Sequence, residues 1–143
     1  MSYRIVVGVD GSPHSTAALR WSLDEAAAHA EAEVVAVLAW QVPFLSNPAA
    51  FERDELQQTY EEFLVKSVSE IVPTPAVPLH TLVAEGDPTE ALLEAARHCQ
   101  LLVLGSRGRS PLKGLMLGSV SQACAAGAAC PVVVVKVSAG ENG

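Results

Sequence analysis

Apolar residues along the chain fall into two arrangements. Short β-prone runs occur at Arg4 to Val9 (RIVVGV), Glu33 to Trp40 (EVVAVLAW), Leu79 to Ala84, Leu101 to Leu104 and Val132 to Val137. The second of these is nearly continuous in apolar residues, as a strand covered on both faces requires. Between the runs, apolar residues recur every three or four positions. They do so at Leu19, Leu23, Ala26 and Ala30, again at Leu56, Tyr60, Leu64, Val68 and Ile71, and again at Leu92, Ala95, Ala96 and Cys99. That spacing predicts helices with one buried stripe. A fourth helix is expected from about Ser119 to Ala129, ahead of Pro131.

The breaks between elements carry their own chemistry. Gly11 marks a turn after the first strand, and Ser12 followed by Pro13 predicts an N-cap and first helical residue. Asp87-Pro88-Thr89-Glu90 predicts a second capped start, with Glu90 in capping-box position. Pro73 and Pro75 end the long helix, Gln41 to Pro48 reads as a loop, and Gly140 to Gly143 as a frayed tail. Five strands alternating with four helices, without a hairpin signal, require parallel strands joined by right-handed crossovers. The fold class is therefore α/β, a five-stranded parallel sheet with helices on both faces, in one domain over residues 1–143. Such sheets bind ligands beyond the carboxyl ends of their strands. Asp10 follows the first strand and Gly105 the fourth, and both loops open on one crevice if those strands are neighbours. Periodicity leaves the strand order open.

Composition narrows the function. Half of the 143 residues are hydrophobic and 17% are charged, which excludes a disordered chain. The apolar runs fall short of a bilayer span and the opening MSYRIVVGVD lacks a signal-peptide layout, so a soluble cytoplasmic protein without membrane contact is expected. Cys99, Cys124 and Cys130 are odd in number and lack metal-ligand spacing, so they read as reduced thiols. The acids of the long helix (Glu52, Asp54, Glu55, Glu61, Glu62) read as a solvated face rather than a metal site. A net charge of −7 argues against nucleic-acid binding through bulk electrostatics. Yet fifteen of the sixteen acids precede residue 95, while Ala95 to Gly140 holds Arg97, Arg107, Arg109, Lys113 and Lys136 and no acid. A locally positive segment in an acidic protein suits a small anion.

That segment contains LLVLGSRGRSPLKGLMLGSVS, residues 101–121. An apolar strand runs into Gly105, glycines recur at Gly108, Gly114 and Gly118, and Ser119 stands at a helix start. One glycine arc leaving a strand and another opening a helix can hold phosphates between them. The pattern is neither GxxxxGK[ST] nor GxGxxG. Its alternative is a loop whose glycines serve tight turns only.

Gly105, Gly108, Gly118 and Ser119 match G-x2-G-x9-G-[ST], the nucleotide-binding pattern of single-domain universal stress proteins. The opening IVVGVDGSPHS, the GDP turn at Gly86 to Pro88, GSRGRS and the closing CPVVVV match as well. The chain thus resembles the universal stress protein family over about residues 3–137. The resemblance implies a Rossmann-like sheet of order 3-2-1-4-5 with ATP between the ends of the first and fourth strands. It places Gly8 and Asp10 near the ribose and the backbone of Ala39 at adenine. It has Gly105, Ser106, Arg107, Gly108, Arg109 and Ser110 wrap the phosphates, and Gly118, Ser119 and Val120 close over them. Mg2+ accompanying ATP, and a homodimer through the last strand (Val132 to Val137), are also implied. Gln100 departs from the family, which often has an acid there, but it lies at the far end of its strand.

The leading functional expectation is a regulatory ATP-binding protein of the stress response, in which nucleotide sets conformation or the choice of a protein partner. A slow ATPase, or self-phosphorylation at Ser119 or Ser121, is the second. It lacks a general base and a carboxylate pair for metal, so no catalytic residue is assigned. A nucleotide-free dimeric scaffold or chaperone-like protein is the third, and the intact glycine pattern argues against it.

Overall fold

The computed structural model describes residues 2–42, 52–107 and 118–137. In chain order the elements are β1 (Tyr3–Gly8), α1 (Pro13–Ala27), β2 (Ala32–Trp40), α2 (Arg53–Ile71), β3 (Leu79–Glu85), α3 (Pro88–Ala95), β4 (Leu101–Gly105), α4 (Ser119–Gly127) and β5 (Val132–Val135). The strands form one sheet in the order β3-β2-β1-β4-β5, and every pairing is parallel. The order expected from the resemblance is the one observed, and β1 and β4 are neighbours. The loops after both strands therefore open on the same end of the sheet.

Alternation along the central strands divides the core into two layers. Ile5, Val7 and Val9, with Leu101 and Val103, face α1 and α2 and pack with Leu19, Leu64 and Val68. Val6, Leu102 and Leu104 face α3 and α4 and pack with Leu92, Ala96 and Cys124. Each fully buried Ile, Leu or Val contributes about 1.5 to 3 kcal/mol relative to exposure, so these two layers hold the strand ends in place. At the amino end, Arg4 is bound on both sides: its N–H donates to Gln100 Oε1 at 2.6 Å and its Nε to Glu33 Oε1 at 2.7 Å. Gln100 thus helps set β1 beside β4, away from the crevice. At the β2–β3 side of the sheet, Trp40 Nε1 donates to Gln57 Oε1 at 2.6 Å and Gln57 Nε2 to the Val83 carbonyl at 2.9 Å, seating α2 over β2 and β3.

Several boundaries shift from the sequence expectation. α1 ends at Ala27, and the chain turns through Glu31 at φ 55°, so Ala30 is exposed rather than on the helical stripe. The inward stripe of α1 includes Ser15 and Ser22; the Ser22 hydroxyl is satisfied by the Ala18 carbonyl at 2.8 Å. α3 stops at Ala95, which leaves Cys99 in the turn to β4. α4 stops at Gly127, where the chain goes extended at Ala128 ahead of Pro131. β5 ends at Val135 because its partner ends there: Gly105 pairs with Val135, and the chain then leaves the sheet at Ser106. The Gln41 to Pro48 loop falls mostly outside the described residues, as does the Gly140 to Gly143 tail.

Candidate functional site

Both loops at the carboxyl ends of β1 and β4 are fixed by short hydrogen bonds. After β1, the Ser12 N–H donates to Asp10 Oδ1 at 2.9 Å, and the Asp10 N–H donates to Ser15 Oγ at 3.2 Å. Gly11 takes φ 86°, the left-handed conformation that glycine adopts without penalty. Ser12 caps α1 as its sequence predicts, accepting from the Ser15 N–H at 3.2 Å with Pro13 as first helical residue. The loop is thereby closed on itself with the Asp10 carboxylate at its edge.

After β4, the chain is tied to three neighbours. The Ser106 N–H donates to the Val135 carbonyl at 2.8 Å, and the Gly118 N–H donates to the Ser106 carbonyl at 2.7 Å. Ser121 Oγ donates to the Gly105 carbonyl at 2.7 Å. The end of β4 and the start of α4 are therefore held side by side, although residues 106 and 118 are separated in sequence. His14 sits beneath this junction. Its Nδ1 accepts from the Val137 N–H at 3.4 Å and lies 3.1 Å from Ser106 Oγ. Since a main-chain N–H only donates, Nδ1 is the acceptor and the ring proton is on Nε2.

The glycine at 105 answers to this packing. A Cβ there would lie 2.7 Å from both the main-chain carbon and the Cβ of His14. Gly105 shares the strand face of Leu101 and Val103, so that Cβ would point at α1, not into the crevice. At Gly8 the direction is opposite: a Cβ would meet Leu104 at 3.0 Å and Leu92 at 3.3 Å, on the crevice side.

Between the two loops lies a crevice of about 230 Å³. Val37, Leu38, Ala39, Leu92 and Leu104 give it an apolar wall, and Asp10, Arg107 and Ser119 give it polar groups. Of the residues singled out in the sequence, Gly8, Asp10, Ala39, Gly105, Arg107, Gly118, Ser119 and Val120 all line it. Ser106 is buried just behind, bonded to His14, Val135 and Gly118. Gly108, Arg109 and Ser110 lie outside the described residues. Sequence reading passed over Ser15, Pro88 and Leu92, which also line the crevice. The Asp87-Pro88 cap was the available signal for Pro88, because a helix start after a parallel strand must stand at the carboxyl end of the sheet.

The helix starts around the crevice differ in a telling way. α1 and α3 are capped by their own side chains, Ser12 and Asp87, the latter accepting from the Glu90 N–H at 3.1 Å. α4 begins at Gly118, which has no side chain with which to cap it. The first-turn N–H groups of a helix have no carbonyl partner within it, and they carry its positive dipole end. Ser119 and Val120, in the first turn of α4, line the crevice. An apolar wall at one side and uncapped N–H groups beside Arg107 at the other fit a ligand with a flat apolar part and an anionic part.

This is a doubly wound parallel sheet with a crevice at the β1–β4 switch in strand order. A sequence model described as the Universal stress protein family matches residues 1–136, and the chain belongs to that family. Universal stress protein Rv1996 of Mycobacterium tuberculosis is 36% identical over 140 residues, which cover 93% of this chain and 44% of that protein. The chain thus spans less than half the length of the curated relatives it matches. Among solved structures, universal stress protein UspA from Lactobacillus plantarum has the same fold, with a TM-score of 0.78 at 23% identity over 94% of this chain and 99% of that one. A universal stress protein in complex with cAMP gives a TM-score of 0.68 at 26% identity, covering 94% and 97% of the two chains.

Proposed function

We propose that the crevice binds an adenine nucleotide, ATP, and that the protein acts through its nucleotide-bound and nucleotide-free states as a regulator rather than as an enzyme. The observation that carries this reading is the uncapped start of α4, opening beside Arg107 onto a crevice with an apolar wall. The base lies against Val37, Ala39 and Leu92, the ribose hydroxyls are near Asp10, and the phosphates meet the N–H groups of Ser119 and Val120. A related protein crystallised with cAMP supports the adenine part.

Mg2+ would arrive on the phosphates. Asp10 is the one carboxylate among the described lining residues, and an ion that keeps most of its water needs no more than one from the protein. The same scarcity of carboxylates argues against phosphoryl transfer, and the Ser121 hydroxyl is already committed to the Gly105 carbonyl. We also infer a homodimer through the edge strand β5, whose four valines are each only half-buried within one chain.

The test is thermal unfolding of nucleotide-stripped protein with millimolar ATP. A ligand that binds only the native state stabilises it by about 2.7 kcal/mol at a hundredfold excess over its dissociation constant. An unchanged melting temperature would refute the reading.

A further inference from the structure

A second cluster of reactive groups lies at the opposite end of the sheet from the crevice. The Sγ atoms of Cys99 and Cys130, 31 residues apart in sequence, are 3.6 Å from each other. The sheet brings them together. Leu102 pairs with Val132, and its N–H donates to the Pro131 carbonyl at 3.0 Å, so the chain segments entering β4 and β5 run side by side. Cys99 is buried, with its thiol donating to the Leu101 carbonyl at 3.3 Å, while Cys130 is partly exposed. Cys124, the third cysteine, lies on α4 and is fully buried in the layer formed with Val6, Leu92 and Leu102.

We propose that Cys99 and Cys130 form a peroxide-sensitive thiol pair that closes to an intrachain disulfide. The sulfurs must approach from 3.6 Å to a bond of about 2.05 Å, a movement within reach of side-chain rotation. Cys130, the more accessible, reacts first. Its thiolate attacks one oxygen of hydrogen peroxide, the O–O bond breaks, and the thiol becomes a sulfenic acid as water leaves. The Cys99 sulfur then attacks the Cys130 sulfur; the S–S bond forms, the S–O bond breaks, and the departing hydroxide takes the Cys99 proton as a second water. Two thiols lose two electrons, and one peroxide is reduced to two waters.

Burial suits Cys99 to the second step. Its thiol is pushed up to about 11, first by desolvation and then by its bond to Cys130, so it is a poor target for external oxidants and reacts with what is held against it. The ring closed by the disulfide spans residues 99–130 and so contains β4 and all of α4, both of which contribute residues to the crevice. The thiol pair and the crevice share no residue, and the inference does not depend on the nucleotide reading.

The experiment treats the reduced 143-residue chain with hydrogen peroxide, blocks remaining thiols and maps peptides by mass spectrometry. The expected result is a Cys99–Cys130 linked peptide, with loss of both thiols from alkylation and Cys124 still free. Cys99→Ser should stop at a Cys130 sulfenic acid that dimedone traps, and Cys124→Ser should behave as wild type. Sulfinic or sulfonic acid at Cys130 without the linked peptide, or links between chains only, would overturn the proposal. The wild-type peptide map decides this even if a variant fails to fold.

Discussion

Gly105 and His14 meet so closely at the end of the sheet that a methyl group on Gly105 would lie 2.7 Å from the His14 main-chain carbon. The contact sets the start of α1 against the end of β4, so it fixes the distance between the two loops that form the crevice. Its rigid partner is backbone, which cannot yield by changing rotamer. Gly105→Ala should therefore destabilise the fold by about 1 to 3 kcal/mol, the usual cost of overpacking. Urea unfolding measures it, and a variant as stable as wild type would show that the loops separate freely.

Gly118 offers the complementary case. Its φ of −65° and ψ of 161° are open to any residue, so a side chain there brings no backbone strain. Gly118→Glu should leave the melting temperature of nucleotide-free protein within a few degrees of wild type while abolishing the ATP-induced shift. A carboxylate at that position brings negative charge to the positive end of the helix dipole and repels the phosphates. A folded Gly118→Glu protein that still shifts with ATP would move the phosphates elsewhere.

The edge strand allows a test of the dimer. Val133 and Val135 pack inward against the α1 layer, so charging them would injure the core as well as an interface. The carbonyls of Pro131 and Val135 point to β4. Residues along a parallel strand alternate in direction, so the main chain of Val134 faces outward. Val134→Pro removes that outward N–H and keeps the pairing with β4, a substitution that edge strands accommodate. Sedimentation should show a folded monomer; a dimer of undiminished affinity would place the interface on another surface.

Alkaline pH provides a fourth check. Cys99 ionises near pH 9 when unfolded, but folding pushes it up to about 11 through burial, so between these values the unfolded chain has lost a proton that the native state keeps. Stability is thus full below pH 9 and falls as pH rises toward 11, by on the order of 2 kcal/mol from this group. Burial raises Cys124 in the same direction. In the presence of reductant, Cys99→Ser should show a smaller fall in melting temperature from pH 8.5 to 10.5 than wild type. Equal slopes would assign the loss to other groups.

What the sequence made legible was local chemistry. The Ser12-Pro13 and Asp87-Pro88 starts could be read because cap and helix are adjacent in the chain, and both side chains make the expected bonds. Leu56, Tyr60, Leu64, Val68 and Ile71 share one core face because helical period alone decides it. Relations across the sheet were not legible in this way. Strand order came from the family resemblance, since periodicity says which residues are inside but not which strands are neighbours. The meeting of Cys99 with Cys130 requires β4 beside β5, and the need for glycine at 105 requires α1 beside β4. Ser15 and Ser22 were missed for a different reason. A hydroxyl paired to a nearby carbonyl or N–H can be buried at small cost, yet it counts as polar in any hydrophobic pattern.

The 2.7 Å bond from the Gly118 N–H to the Ser106 carbonyl has an evolutionary consequence. The eleven residues 107–117 join two points that the scaffold already holds together, so their number does not enter the geometry of the sheet. For a flexible connection, doubling its length adds only about 0.6 kcal/mol of closure entropy. Insertions and deletions there leave β4 and α4 where they are. Changes in the length of this connection are thus expected to leave the fold intact.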